Sequence, residues 1–393
     1  MTTTGSIKTR RRPFGSGKPV SLFTLGTMRA LQSPGQLEAV VEAAIAAGIN
    51  HLETAPAYGP AQRYLGQAIR RLGLSREQLV ITSKVLPNQS LVSAQDDVRR
   101  SLEQLGLDRL DNMAVHGINR PEHLEWALQG PGQELISWVL EEGLADQVGF
   151  SSHGSIELIA AAIRSGRFRF ASLHLHLFDP VRLPLAEEAL ASGMGVMAIS
   201  PADKGGRLFD PPELLRQACA PLEPLPLAYR FLLARGISTL TLGAAEPAEL
   251  HWAGLDGSPL SEQELAALER LNQQRHERLG AEACGQCRAC LPCPQQLPIP
   301  ELLRLRNLAV GHGMESFAKE RYGLIGQAGH WFEEINAAAC QECGDCLPRC
   351  PHQLAIPKLL ADTHPVSYTH LRAHETVLEL VCRLLLEKKK KIY

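Results

Sequence analysis

Between residues 20 and 245 the chain alternates between two hydrophobic periods. Short runs of β-branched and apolar residues give way to longer stretches in which apolar positions recur every three or four residues, and Gly, Pro and Asn punctuate the joins. The strand-like runs are VSLFTLG (20–26), INHLET (49–54), LVITSK (79–84), LDNMAVH (110–116), DQVGFSS (146–152), ASLHLHL (171–177), GVMAIS (195–200) and STLTLG (238–243). QLEAVVEAAIAAG (36–48) and AQDDVRRSLEQLG (94–106) are typical of the helical stretches between them. Strand–helix alternation repeated eight times predicts a closed parallel (β/α)8 TIM barrel over 1–275. An open doubly wound sheet is the competing arrangement, but the glycine fingerprint of its first turn is absent.

After the barrel, SEQELAALERLNQQRHERLG (261–280) reads as a helix packed on it, and IPELLRLRNLAVGHG as a helix opening after Pro300. This second helix lies in a cysteine-rich module over 281–362. The tail 365–393 fits neither unit and reads as a non-native extension, although its sequence is amphipathic.

Composition narrows the classes. Of 393 residues, 45% are apolar and 21% charged, and the formal net charge is −2, which gives no field to draw the chain onto nucleic acid or an anionic membrane. The basic start lacks the apolar stretch of a secretory signal, and no apolar run is long enough to span a bilayer. The expectation is a cytoplasmic protein. In a reducing compartment, clustered cysteines are metal ligands more often than disulfides.

The clusters are CGQCRACLPCP (284–294) and CQECGDCLPRCP (340–351). The second has the C-x2-C-x2-C-x3-C-P spacing of [4Fe–4S] ferredoxins, in which the fourth cysteine serves the other cluster. Eight thiolates match two cubanes, one on Cys284, Cys287, Cys290 and Cys350, the other on Cys340, Cys343, Cys346 and Cys293. A pair of four-cysteine zinc sites is the alternative. Cys219 and Cys382 fall outside both runs and read as free thiols. The clusters would serve as a relay to a redox protein partner, as a sensor or as a structural staple, with the last two preferred unless the clusters approach the barrel mouth.

Chemistry in such barrels sits at the C-terminal ends of the strands. Strand two delivers Glu53 and, in the following loop, Tyr58. Strand three ends in Lys84 and strand four in His116. A tyrosine beside a lysine and a histidine makes a proton donor, the ammonium being expected to lower the phenol's pKa from its usual value near 10. Glu53 would hold the lysine, and His116 would orient a carbonyl oxygen. A competing reading gives His174 and His176, with His116 and His153, to a zinc-dependent hydrolase.

GINHLETAPAYG, TSKV, AVH, GFSSHG and ISPADKGG together resemble the aldo-keto reductase superfamily, in its order and spacing, over residues 8–275. The likeness is greatest to a branch with a C-terminal ferredoxin-type module, and so extends to about residue 360. The resemblance implies hydride transfer between NAD(P)H and a small carbonyl or alcohol substrate, with Tyr58 as proton donor and Lys84, His116 and Glu53 around it. Glu53 stands where the family usually has Asp. The resemblance further implies cofactor contacts at Thr27, Met28, Ser151, Ser200, Lys204 and Gly243. The loop after strand eight, LGAAEPAELHWAG (242–254), holds no cation and offers Glu246 and Glu249, which disfavours the 2′-phosphate of NADPH; Lys204 or Arg235 would have to supply the missing charge. An electron-transfer protein with a catalytically weak barrel is the second functional reading.

Overall fold

The computed structural model describes residues 11–202 and 207–368. Lys204, Cys382 and the tail beyond residue 368 lie outside the described residues. Eight strands form a closed barrel: β1 (Phe23–Gly26), β2 (His51–Glu53), β3 (Val80–Val85), β4 (Leu110–Val115), β5 (Ala145–Ser152), β6 (Phe170–His174), β7 (Gly195–Ile199) and β8 (Thr239–Leu242). Each pairs in parallel with its sequence neighbour, and β8 returns to β1. Helices such as Pro34–Ala46 and Leu91–Leu105 cover the outside; each is capped by a serine side chain, Ser33 and Ser90, that accepts a first-turn amide.

Two expected strands are shorter than their sequence runs. VSLFTLG breaks at Leu22, and Val20–Ser21 instead pairs antiparallel with Arg11–Arg12. The loop of this hairpin plugs the N-terminal end of the barrel. Phe14 there is fully buried, with its ring centroid 5.0 Å from that of Phe170, and Gln147 Nε2 donates to its carbonyl. The HLH run also divides: β6 ends at His174, and His176 only bridges to Asp179.

A belt of hydrogen bonds crosses the barrel interior above this plug. It runs from Thr239 to Thr24 (2.7 Å), His51 (2.7 Å), Thr82 (2.7 Å), Asn112 (2.9 Å) and Gln147 (2.7 Å), all buried. Burial lowers the His51 pKa to about 3, so its imidazole is neutral and bonds one threonine through each nitrogen. Side chains two apart on a strand share a face, so His51 sets the floor for Glu53 and Thr82 the floor for Lys84. The wall is tight beside this belt. A Cβ on Gly149 of β5 would stand 2.4 Å from the Phe170 carbonyl oxygen. Gly149→Ala is therefore expected to destabilise the barrel by about 2 kcal/mol, measured as a lowered thermal midpoint.

The helix Glu262–Leu279 joins barrel to module. Ser261 and Glu264 form a reciprocal capping box at its start. Its last turn meets the helix Ile299–His312, where Arg278 donates to the Val310 carbonyl at 2.6 Å. That second helix opens at Ile299, two residues earlier than expected, with Pro300 inside its first turn. Leu302, Leu303, Tyr322, Ile356 and Leu359 make a separate small core, to which Cys290 and Cys346 contribute. The last helix, Ile356–Tyr368, runs past the expected limit at 362.

Candidate active site

β2 and β3 bring three of the four expected residues into contact. Lys84 Nζ lies 2.8 Å from the Tyr58 hydroxyl and forms an ion pair with Glu53 Oε1. Tyr58 Oη donates to the same carboxylate oxygen at 3.2 Å. The extra methylene of Glu53 therefore does not part it from the lysine. Tyr58 reaches the group from a short turn, Pro56–Tyr58, just beyond β2. His116 follows β4, and its ring meets that of Tyr58 edge to face at 5.9 Å.

Glu53, Lys84 and His116 are buried, and Tyr58 is half-buried. Burial decides the electrostatics in a direction opposite to the one expected. It pushes the Tyr58 phenol above its ordinary range and pulls Lys84 below its own, while contact with the Glu53 carboxylate works against the latter. The phenol is thus held protonated, as a donor must be. Burial, then the charge of Lys84 and that of His330, push His116 well below the ordinary histidine range. A neutral imidazole offers one N–H to a ligand.

Three buried polar atoms at strand ends have no hydrogen-bond partner among the described residues: Thr27 Oγ1 after β1, Thr54 Oγ1 after β2 and His116 Nδ1 after β4. Leaving such groups unpaired costs about 1–3 kcal/mol each, so their grouping at one barrel end fits a bound polar molecule. Of the other expected cofactor contacts, Met28 is exposed and Ser200 has a left-handed φ of 50°. Ser151 is buried, and its hydroxyl accepts the Gly117 amide at 3.0 Å. The Gly243 carbonyl accepts from Arg29 at 2.5 Å. Arg29 also pairs with Glu249 at 2.7 Å. A cation from the β1 loop thus reaches the β8 loop, where the sequence offered only carboxylates. Arg235, in the turn just past the helix Pro224–Leu233, donates back to the Phe231 carbonyl at 2.9 Å.

The cysteine module supplies residues that sequence reasoning missed. Trp331 packs on His116 at 4.9 Å and on His153 at 5.4 Å between ring centroids. Gly117, at φ +82°, permits this approach, because a Cβ there would stand 2.6 Å from the indole. Asn119 donates to the His330 carbonyl at 3.1 Å and accepts the His153 amide at 2.7 Å, clamping the segment to the mouth. The only signal was an aromatic GHW in a polar stretch between the two cysteine runs.

The cysteines line two cavities in the expected sets. One is bounded by Cys284, Cys287, Cys290 and Cys350, the other by Cys293, Cys340, Cys343 and Cys346. Burial raises the pKa of Cys284, of Cys346 and, to about 11, of Cys290, so bound cations would be needed to hold them as thiolates. Among the described residues no three His, Cys, Asp or Glu side chains are close enough to share one metal ion. His153 and His174 meet at 3.2 Å between their Nε2 atoms, and among the described residues no group of three ligands of the kind the hydrolase reading needs is found. Cys219 is a buried free thiol pushed up to about 12 by burial.

The first cysteine cavity also shares Arg288 and Pro300 with a cleft beside the barrel mouth. No helix among the described residues is long and apolar enough to cross a membrane.

Comparison with known proteins adds to this geometry. Residues 23–210 match the Aldo/keto reductase family, and residues 283–356 match a 4Fe-4S dicluster domain. An aldo-keto reductase of Mycolicibacterium smegmatis is 33% identical over 132 residues, 32% of this chain and 43% of that protein. One from Mycobacterium tuberculosis is 38% identical over 115 residues, 29% of this chain and 37% of that protein. The chain thus spans less than half the length of these curated relatives. Among solved structures, the holo form of an aldo-keto reductase from Bacillus halodurans superposes with a TM-score of 0.56 at 19% identity, over 67% of this chain and 96% of the other. A silkworm (Bombyx mori) aldo-keto reductase complexed with NADPH gives 0.56 at 21%, over 66% and 86%. At these identities the likeness is one of fold, a TIM barrel.

Proposed function

From a chain that carries an aldo/keto reductase domain over residues 23–210 and a 4Fe-4S dicluster domain over 283–356, we propose a nicotinamide-dependent oxidoreductase that interconverts a small carbonyl compound and its alcohol. The contact of Tyr58, Lys84 and Glu53 beside His116 carries this reading. When bound, the reduced nicotinamide supplies hydride. The chain's own residues handle the oxygen. His116 orients the carbonyl with a neutral N–H, and Tyr58 gives its phenolic proton to the oxygen as negative charge develops. Lys84 then faces the phenolate it can stabilise, and Glu53 keeps the lysine in place. The test is NAD(P)H oxidation with a panel of aldehydes; no turnover with any of them, by protein with intact clusters, would remove the reading.

Thr27, Met28, Ser151, Ser200, Lys204 and Gly243 remain the proposed cofactor contacts, with Arg29 added. One of the two carboxylates on the β8 loop is already answered by Arg29, so repulsion of a 2′-phosphate is weaker than the loop sequence implies. We expect a kcat/KM ratio for NADPH over NADH below about 100, equivalent to 2.7 kcal/mol. Glu249→Ala frees Arg29 and should raise that ratio about tenfold, the worth of one charge-assisted pair. An unchanged ratio would place the adenosine end elsewhere.

The eight cysteines are proposed to hold two [4Fe–4S] clusters. Nicotinamide moves two electrons as hydride and a cubane moves one, which favours clusters that shape the module whose Trp331 walls the active site; because the first cysteine cavity borders the mouth cleft through Arg288 and Pro300, a relay to a redox protein is the second reading.

A further inference from the structure

A cleft lies beside the barrel mouth, between barrel and module. It holds about 710 Å³ of space, open to solvent. The barrel side gives His153, His174, Asp179 and Arg182; the module gives Arg288, Arg304, Arg321 and Trp331. Its carboxylates are Asp179, Glu301 and Glu333. Glu301 is engaged by Arg288, which also pairs with the exposed Glu157 at 3.0 Å.

Asp179 is the deep anion, and two guanidiniums share it. Arg182 approaches at 3.6 Å and Arg304 at 3.5 Å, neither within good hydrogen-bond distance. Arg182 Nε and Arg304 Nη1 are buried and have no partner among the described residues. Asp179 Oδ1 and Glu301 Oε2 are unpartnered too, so a hydroxyl on the ligand would also be accommodated. One carboxylate cannot satisfy two planar forks, and the leftover donors on both sides of Asp179 match an oxyanion in charge and hydrogen-bonding capacity. Trp331 belongs to both places, lining this cleft and packing on His116.

We propose that the cleft between barrel and cysteine module binds the oxyanion of the substrate, a carboxylate or a phosphate, through Arg182 and Arg304, so that the substrate is an acidic carbonyl compound. That the oxyanion belongs to a substrate rests on the reductase reading above. The oxyanion site itself stands on the cleft alone. Neither domain makes the site without the other, because Arg182 comes from the barrel and Arg304 from the module.

The test has an equilibrium arm and a kinetic arm on the cluster-loaded full chain. Calorimetric titration with succinate and with inorganic phosphate should show one site, weakened at least tenfold in Arg304→Gln and Arg182→Gln. Because either change strands Asp179, Val181→Asp at the cleft wall is the companion; it adds a repelling charge without touching the pair and should weaken binding as much. In turnover, kcat/KM for succinate semialdehyde or glyceraldehyde 3-phosphate relative to butanal should fall at least tenfold in the same variants, with butanal unaffected. Whichever acid gives the larger ratio identifies the oxyanion. No binding of either anion to wild type, or equal binding by wild type and Val181→Asp, overturns the proposal. Anion binding with no turnover of any aldehyde upholds the site and removes the reductase reading instead.

Discussion

Tyr58→Phe is expected to lower kcat by two orders of magnitude or more while leaving the dissociation constant of the nicotinamide nearly unchanged. The variant keeps the ring, and so keeps its edge-to-face contact with His116. It also leaves the Lys84–Glu53 ion pair intact. What it loses is the one O–H in the group that can be given to a developing alkoxide, a transfer worth about 10²–10⁴ in rate. A loss confined to kcat is the mark of an interaction made in the transition state. The raised phenol pKa adds a second expectation. The protonated form persists as pH rises through the ordinary value near 10, so the wild-type rate should show no loss from phenol ionisation below that point. Activity of Tyr58→Phe within a few-fold of wild type would take Tyr58 out of this role.

Cys343→Ser is expected to lower iron and sulfide content and to open residues 281–362 to protease, while the barrel stays folded. The module's own core is small, and Cys346, in the same cavity, is part of it. Losing a ligand removes metal-binding energy that is also folding energy. The barrel has a separate, much larger core and need not follow. Iron and sulfide analysis with limited proteolysis reads both halves. Stoichiometric zinc without sulfide in the wild-type protein would end the cluster assignment.

Where the signal was local, the sequence was readable. The eight strand runs announced the barrel because each alternates with a helical period, and the cysteine spacing separated two sets of four that the fold gathers around two cavities. Glu53, Lys84 and His116 were legible as polar residues at the ends of apolar runs. Non-local effects were not. The balance of pKa shifts at Tyr58 follows from burial, which no spacing reveals. The hairpin that truncates the first run depends on Arg11–Arg12 finding Val20–Ser21. Arg29 meets Glu249 across 220 residues of chain. The belt through His51 could be suspected from the shared face of His51 and Glu53, but its partners lie on other strands.

The clamp between Asn119 and His330 spans 211 residues, and this has a consequence for biosynthesis. A domain generally folds as a unit once its own sequence has emerged from the ribosome. The barrel strands are complete by Leu242, yet the wall of its mouth arrives only with residues 329–331, between the two cysteine runs. Until then His116 and His153 face water. A ribosome stalled there, or a cell short of iron, would hold barrels that are folded but unfinished, and the quality of a preparation would be set by metal supply as much as by folding.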